Sequence, residues 1–395
     1  MIINLQFEKN IYKVGENYMK KRNLIFMVLN MCLLFNITFA YNVQAITPKN
    51  KSIYINARSA IAIDSKTKCV LYEKNSDMLL PIASTTKIMT TLVALKYGNL
   101  DDKFEVSSKA ANIRGSQVGY KKGESISLKE LLYGLMLRSG NDAAITIAEG
   151  LSGSVEKFCE LMNEYAVEIG ALNSHFESPH GLDSQNHYST AYDLARITAK
   201  AKENELFNKI VAVKDVEAKE YGFTRSYHNI NKILYQIPNA NGVKTGYTGG
   251  AGKCLVTSVK DNDDDIIIVV LNCTPRWKET GKIYKFVKEN YDFKKITSKN
   301  QVIGNIIYNG NKKIDLICNK DIVVPVGKQE HCEFKIVKPK SIPSNVYKGM
   351  DLGKIDIYKD NKLVASETLK SKNDASTKKI KGFIQKMKEF FSTKE

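Results

Sequence analysis

A serine three residues ahead of a lysine can become a nucleophile without histidine, and Ser84-Thr85-Thr86-Lys87 has that spacing. On a helical turn, positions i and i+3 share a face, so the Ser84 hydroxyl and the Lys87 amine come within hydrogen-bond reach. A serine hydroxyl attacks an acyl carbon only once a base takes its proton. Lysine is such a base only when its amine is neutral, a state favoured by burial or a neighbouring cation. Lys244, in Lys244-Thr245-Gly246, offers that cation, and Ser139-Gly140-Asn141 adds a second hydroxyl and a side-chain amide. Together these groups can attack an acyl carbon and hold a carboxylate without His, Asp or metal. A helix start at Ser84 would add free backbone N–H groups suited to an oxyanion.

Taken singly, the first two strings carry little weight. Ser65/Lys68, Ser154/Lys157 and Ser376/Lys379 repeat the first spacing, and Ser184/Asn186, Ser298/Asn300 and Ser371/Asn373 repeat the second. Lys-Thr-Gly is found once, after Asn241-Gly242 and before the strand-like stretch from Cys254 to Val259. At a sheet edge there, Gly246 would let the backbone approach a ligand closely.

Order and context decide the matter. The chain resembles the serine-type D-alanyl-D-alanine carboxypeptidases, the low-molecular-mass penicillin-binding proteins, and among them the membrane-anchored ones with a C-terminal β-domain. The resemblance rests on Pro81-Ile82-Ala83-Ser84-Thr85-Thr86-Lys87, Met136-Leu137-Arg138-Ser139-Gly140-Asn141-Asp142-Ala143-Ala144 and Ser178-Pro179-His180-Gly181-Leu182-Asp183. Ser189-Thr190-Ala191-Tyr192-Asp193-Leu194-Ala195 and Gly242-Val243-Lys244-Thr245-Gly246-Tyr247-Thr248 extend it, so that it covers about residues 50 to 370 and the tail. It implies an α/β (α+β) penicillin-recognising fold, with helices flanking an antiparallel sheet and a small all-β domain behind.

The roles it implies map onto matching positions. Ser84 forms the acyl-enzyme, Lys87 activates it, Ser139 relays protons towards the departing D-alanine nitrogen, and Asn141 holds the substrate amide. Lys244 and Thr245 grip the terminal carboxylate, with Gly246 beside them, and the N–H groups of Ser84 and Tyr247 form the oxyanion hole. Some relatives carry His where this chain has Tyr247, which leaves the backbone role intact and any side-chain role open. The implied substrate is a peptidoglycan stem peptide ending in D-Ala-D-Ala, with β-lactams as covalent inhibitors and no cofactor or metal. Ser178 to Asp183 would be a structural loop under the site. Arg276 could reach the carboxylate pocket, although a surface ion pair is the plainer expectation.

Rival readings share parts of this set. A class A type β-lactamase needs a glutamate-positioned water, and Ile169 stands where that glutamate would be. Long-lived penicillin adducts are therefore expected. A D,D-endopeptidase or transpeptidase would use the same site, and a non-catalytic wall-binding homologue would have lost the reaction but kept the fold. A zinc enzyme is disfavoured, because His180 and His187 lack a carboxylate–histidine spacing typical of zinc ligands.

The elements that must position these groups are partly legible. Ile53 to Asn56 and Ala60 to Ile63, the turn Ser65 to Lys68, and Cys69 to Tyr72 read as a hairpin. Helical spacing runs from Thr85 to Tyr97 and from Val155 to Ile169. Ser127-Leu128-Lys129-Glu130 has capping-box spacing ahead of a helix that ends near Arg138-Ser139-Gly140-Asn141. Val256 to Leu271 reads as strand, acidic turn, strand.

Domain boundaries follow from shifts in composition. Residues 1–45 hold an N-terminal extension and a secretory signal, with Lys20-Lys21-Arg22, an apolar run from Leu24 to Ala40, and small residues at its exit. Met19 offers an alternative start, and an uncleaved membrane span is the competing reading. Residues 46–293 form the catalytic domain, and residues 294–372 form the all-β domain. Residues 373–395 read as a linker and a basic amphipathic helix, and the stretch Ser371 to Ser376 at that boundary is polar and linker-like. In that helix Ile380, Phe383, Ile384, Met387, Phe390 and Phe391 recur at helical spacing among lysines, as in segments lying on anionic membranes.

The formal net charge of +17 calls for an anionic partner, and losing residues 1–45, with five Lys/Arg and two Asp/Glu, leaves it near +14. For an exported protein that partner is lipid headgroup or wall polymer, not nucleic acid. The expected location is the outer face of the cytoplasmic membrane, attached through 378–395. Cys254 and Cys273 flank the acidic turn almost symmetrically, so either a disulfide or two packed thiols is open.

Overall fold

The computed structural model describes residues 53–261, 264–308, 310 and 312–376. The expected signal segment and the amphipathic segment 378–395 lie outside the described residues.

The half that carries the three motifs is built on one antiparallel sheet. Its strands are β1 (Ser59–Asp64), β2 (Val70–Lys74), β3 (Ala240–Thr248), β4 (Gly252–Asp261) and β5 (Asp264–Leu271), in the order β2-β1-β5-β4-β3. β1 and β2 form the expected hairpin, but Ile53 to Asn56 stays outside it. There the Asn56 N–H donates to the Glu279 carboxylate at 2.8 Å instead of joining a ladder.

β5 lies at the middle of the sheet and is apolar on both faces, because both faces are covered. Ile267, Val269 and Leu271 join the large core with β1 residues Ile61 and Ile63. Ile266, Ile268 and Val270 join a second core under the helix α7 (Arg276–Asn290), whose Ile283, Phe286 and Val287 face the sheet. The first face carries α1 (Lys87–Tyr97), α2 (Leu128–Leu137), α3 (Asn141–Ser152), α4 (Val155–Glu168), α5 (Ala191–Ala201) and α6 (Glu205–Ala212). Cys254 belongs to the first core and Cys273 to the second, so the thiols sit on opposite faces and both remain free.

Several of the helices begin where a side chain receives their first N–H groups, whereas α1, α3 and α7 have no side-chain cap. Ser127 Oγ accepts from Glu130 N at 3.2 Å, Ser154 Oγ from Lys157 N at 3.2 Å, and Thr190 Oγ1 from Asp193 N at 2.9 Å. The capping box is half made. The Glu130 carboxylate turns away from Ser127 and accepts from Thr224 N at 3.0 Å and Tyr227 OH at 2.7 Å. Tyr227 OH is also 2.8 Å from Tyr120 OH, which ties the segment around Tyr120 to the helical layer.

After α7 the chain becomes all-β. β6 (Tyr291–Thr297) pairs with β9 (Ile322–Gly327), and a five-stranded sheet runs β7-β8-β13-β12-β10. Its members are β7 (Val302–Tyr308), β8 (Lys312–Ile317), β10 (Cys332–Val337), β12 (Asp351–Lys359) and β13 (Lys362–Ser371). Between these strands and β6/β9 lies a core of its own, including Ile314, Leu316, Val324, Ile355, Ile357 and Leu369. The polar stretch Ser371 to Ser376 is not a linker. Ser371 ends β13, and β14 (Ala375–Ser376) pairs with β11 (Asn345–Val346) because Ala375 and Val346 are both buried.

Candidate active site

Ser84 lies in a 3-10 turn, Ala83–Thr86, that runs directly into α1 at Lys87. The helical advance stacks the two side chains, and Lys87 Nζ is 3.0 Å from Ser84 Oγ. The same nitrogen donates to Asn141 Oδ1 at 2.8 Å and to the His180 carbonyl at 2.8 Å. Lys87 is completely buried. Desolvation, then the nearby Lys244 charge, holds its amine well below the usual lysine range, while Asp142 pulls weakly the other way.

Asn141 opens α3 and is clamped at both ends of its amide. Its Oδ1 takes the Lys87 N–H, and its Nδ2 donates to the Arg114 carbonyl at 2.6 Å. Ser139, just before it, is buried and left-handed at φ 59°, so a sharp corner joins α2 to α3. Asp142 secures the facing segment, accepting from Val118 N, Gly119 N and Tyr120 N at 3.0, 2.8 and 3.1 Å.

Under Ser84 and Lys87 lies the loop Ser178 to Asp183. Thr90 Oγ1 donates to the Pro179 carbonyl at 2.6 Å, and Gly181, at φ +82°, leaves only 2.0 Å between an added Cβ and the Ala83 carbonyl oxygen. His187 contributes beside it. Its Nδ1 accepts from Glu177 N at 3.0 Å, which leaves the proton on Nε2, 2.7 Å from Thr86 Oγ1. Burial pushes His187 down to about 4 and His180 to about 3, so both rings are neutral at physiological pH. Among the described residues no three His, Cys, Asp or Glu stand together as a metal-ligand group.

β3 closes the other side. Gly246 sits so near the 3-10 turn that an added Cβ would meet the Ile82 carbonyl oxygen at 3.0 Å and Ser84 N at 3.2 Å. Tyr247 follows with 67% of its surface exposed, and Thr245 is buried. Lys244 is buried, donates to the Thr245 carbonyl at 3.0 Å, and pairs with no carboxylate among the described residues. Desolvation, then the Arg276 charge, lowers it to about 7.

Arg276 is not a surface ion pair. Its Nη1 donates to the Gly246 carbonyl at 2.7 Å and the Cys254 carbonyl at 3.1 Å, so the start of α7 is pinned to β3 and β4. Asp183 pins the far end of β3 through Thr248 Oγ1 at 2.6 Å and Gly250 N at 2.9 Å. Neither role has a local signature; Asp142 alone has one, because it directly follows Asn141. The eight residues expected from sequence thus converge from the 3-10 turn and α1, the α2–α3 corner, and β3.

Comparison with known proteins gives this arrangement its context. A family model described as D-alanyl-D-alanine carboxypeptidase matches residues 44–274. The chain belongs to the D-alanyl-D-alanine carboxypeptidase family. A second model, the penicillin-binding protein 5 C-terminal domain, matches residues 291–377. The D-alanyl-D-alanine carboxypeptidase DacF of Bacillus subtilis is 35% identical over 346 residues, 84% of this chain and 88% of its own. DacC of Escherichia coli is 31% identical over 339 residues, 80% of this chain and 83% of its own. The crystal structure of penicillin-binding protein 5 from Haemophilus influenzae superposes with a TM-score of 0.69 at 28% identity, covering 83% of this carboxypeptidase and 99% of that chain. The carboxypeptidase is a serine-type enzyme acting on D-alanyl-D-alanine peptides, and penicillin binding goes with its family.

Proposed function

We propose that Ser84 is the residue acylated, that Lys87 is its base, and that the enzyme trims D-alanine from peptidoglycan stem pentapeptides. The observation that carries this reading is the wiring of Lys87. A neutral amine has two N–H groups; Asn141 Oδ1 and the His180 carbonyl accept them, and the lone pair is left facing Ser84 Oγ at 3.0 Å.

Ser84 Oγ attacks the carbonyl carbon of the penultimate D-alanine as its proton passes to Lys87 Nζ. The N–H groups of Ser84 and Tyr247 hold the oxyanion, where each donor is worth about 10²–10³ in rate. The proton then moves, by way of Ser139, to the leaving D-alanine nitrogen as the C–N bond breaks. Water next attacks the ester with Lys87 again as base, releasing the shortened peptide. The remaining Nδ2 hydrogen of Asn141 holds the substrate amide.

Lys244 and Thr245 bind the terminal carboxylate. The buried Lys244 and the half-buried Arg276, neither paired with a carboxylate among the described residues, form a positive pocket, and a bound carboxylate raises Lys244 again by favouring its charged form. The absence of a glutamate at Ile169 supports slow release of penicillin. The basic amphipathic spacing of 378–395 and the apolar run from Leu24 to Ala40 support an exported enzyme attached to the outer face of the cytoplasmic membrane.

Purified enzyme treated with penicillin should carry its adduct on the peptide containing Ser84, and should release D-alanine from diacetyl-Lys-D-Ala-D-Ala. An adduct on another serine, or undiminished release by Ser84→Ala, would remove the assignment.

A further inference from the structure

One end of the β-domain is basic in a way the active site does not use. β10 finishes at Val337 opposite Lys354, β12 starts at Asp351, and β13 ends at Ser371 opposite Leu316. These registers bring Lys338, Lys340, Lys348 and Lys372 to the same end of the sheet, and Lys312 and Lys313 reach it from the β7–β8 hairpin. All six are exposed, and among the described residues none has a carboxylate partner. Asp351 at this end is engaged by Lys370, and Asp374 accepts the Lys348 backbone N–H at 2.7 Å. Two apolar side chains stand among the lysines: Tyr347 is 65% exposed and Ile307 56%.

The chain leaves the domain here. β14 pairs with β11 directly before Tyr347, Tyr308 OH donates to the Ser344 carbonyl, and Ser376 is the last described residue. The opposite end of the domain is the one tied to the rest of the chain, where Lys328, between β9 and β10, donates its N–H to the Asn290 carbonyl at 3.1 Å.

We propose that this basic end is a second membrane contact, seating the β-domain on anionic phospholipid headgroups beside the tail. The inference builds on the reading of 378–395 as an interfacial anchor, which puts the exit point at the bilayer. Exposed lysines take the phosphate charges, and Tyr347 supplies an aromatic ring with a polar tip suited to headgroup depth. Lipid is favoured over wall polymer because the lysines surround the point where an amphipathic segment begins. Each lysine near an anionic surface contributes roughly 5-fold in affinity, falling with salt.

The test uses the full chain and vesicles of phosphatidylglycerol mixed with phosphatidylcholine. Replacing Lys338, Lys340 and Lys348 together by alanine should weaken binding by about 100-fold at low ionic strength, and by less at high salt. D-Alanine release should be unchanged, which also reports folding. In a Tyr347→Trp variant, bromine-labelled lipids should quench fluorescence beyond the level set by Trp277 in the parent. Tight vesicle binding with no added quenching and no loss in the triple variant would overturn the contact and leave the tail anchor standing. No binding by the full chain would overturn both. Equal loss of binding to soluble polyglycerol phosphate, without quenching by lipid, would assign the patch to wall polymer instead.

Discussion

Gly181→Ala separates steric crowding beneath the nucleophile from the cost of an unusual backbone. Gly181 has φ +82°, and a methyl group there would lie 2.0 Å from the Ala83 carbonyl oxygen and 2.5 Å from Thr86 Oγ1. Gly153 has a similar φ of +76° but open space around its would-be Cβ. An alanine in the left-handed region costs about 1–2 kcal/mol, and this is all that Gly153→Ala should lose. At Gly181 the oxygen and methyl must part by about 1 Å, adding overpacking of about 1–3 kcal/mol. With about 2–4 °C per kcal/mol for a domain of this size, the thermal midpoint should fall by roughly 10 °C for Gly181→Ala and about 4 °C for Gly153→Ala. The same displacement moves the turn that carries Ser84, and a shift near 1 Å costs about 10²-fold in rate. Acylation by a fluorescent penicillin, followed by stopped flow, should therefore slow by about 10²-fold at Gly181 and stay normal at Gly153. Equal midpoints and equal acylation rates for the two variants would refute the packing argument.

Two further outcomes concern buried charge. Lys244 is held at about 7 in the folded chain against 10.5 for an ordinary lysine, so between those values the unfolded chain binds more protons and stability rises with pH. Lys244→Met should remove this contribution: its gain in midpoint over the parent should be largest near pH 6 and shrink towards pH 10, measured by calorimetry, while D-alanine release falls at all pH. Glu130→Ala removes the acceptor of the buried Tyr227 OH, which keeps only Tyr120 OH as a partner, while the N–H and Oγ1–H of the exposed Thr224 turn to water, at a cost of about 1–3 kcal/mol. A midpoint within a degree or two of the parent would show that water replaces the carboxylate.

What could be read from sequence was whatever is local. Ser84 and Lys87 are three residues apart on a continuous turn, so their meeting follows from helical geometry alone. The run from Ile266 to Leu271 reads as a strand because its β-branched residues serve two cores at once. The capping box at Ser127 was legible only in part, since the backbone half is local and the carboxylate half depends on Tyr227, 97 residues away. Arg276 was singled out but given a surface ion pair as the plainer expectation for the same reason: its partners are carbonyl groups on β3 and β4, which carry no side-chain signature. Ser371 to Ser376 looks like a linker by composition, and becomes a strand only because Val346 offers Ala375 a buried partner.

The bonds that organise Lys87 span 54 residues to Asn141 and 93 to His180. Loop closure over such separations comes late in folding, after local turns have formed. A partly folded chain therefore holds Ser84 without an organised Lys87 beside it, and by the proposed mechanism is not acylated by substrate or antibiotic. Reactivity becomes a certificate of finished folding, issued only once the far segments have arrived.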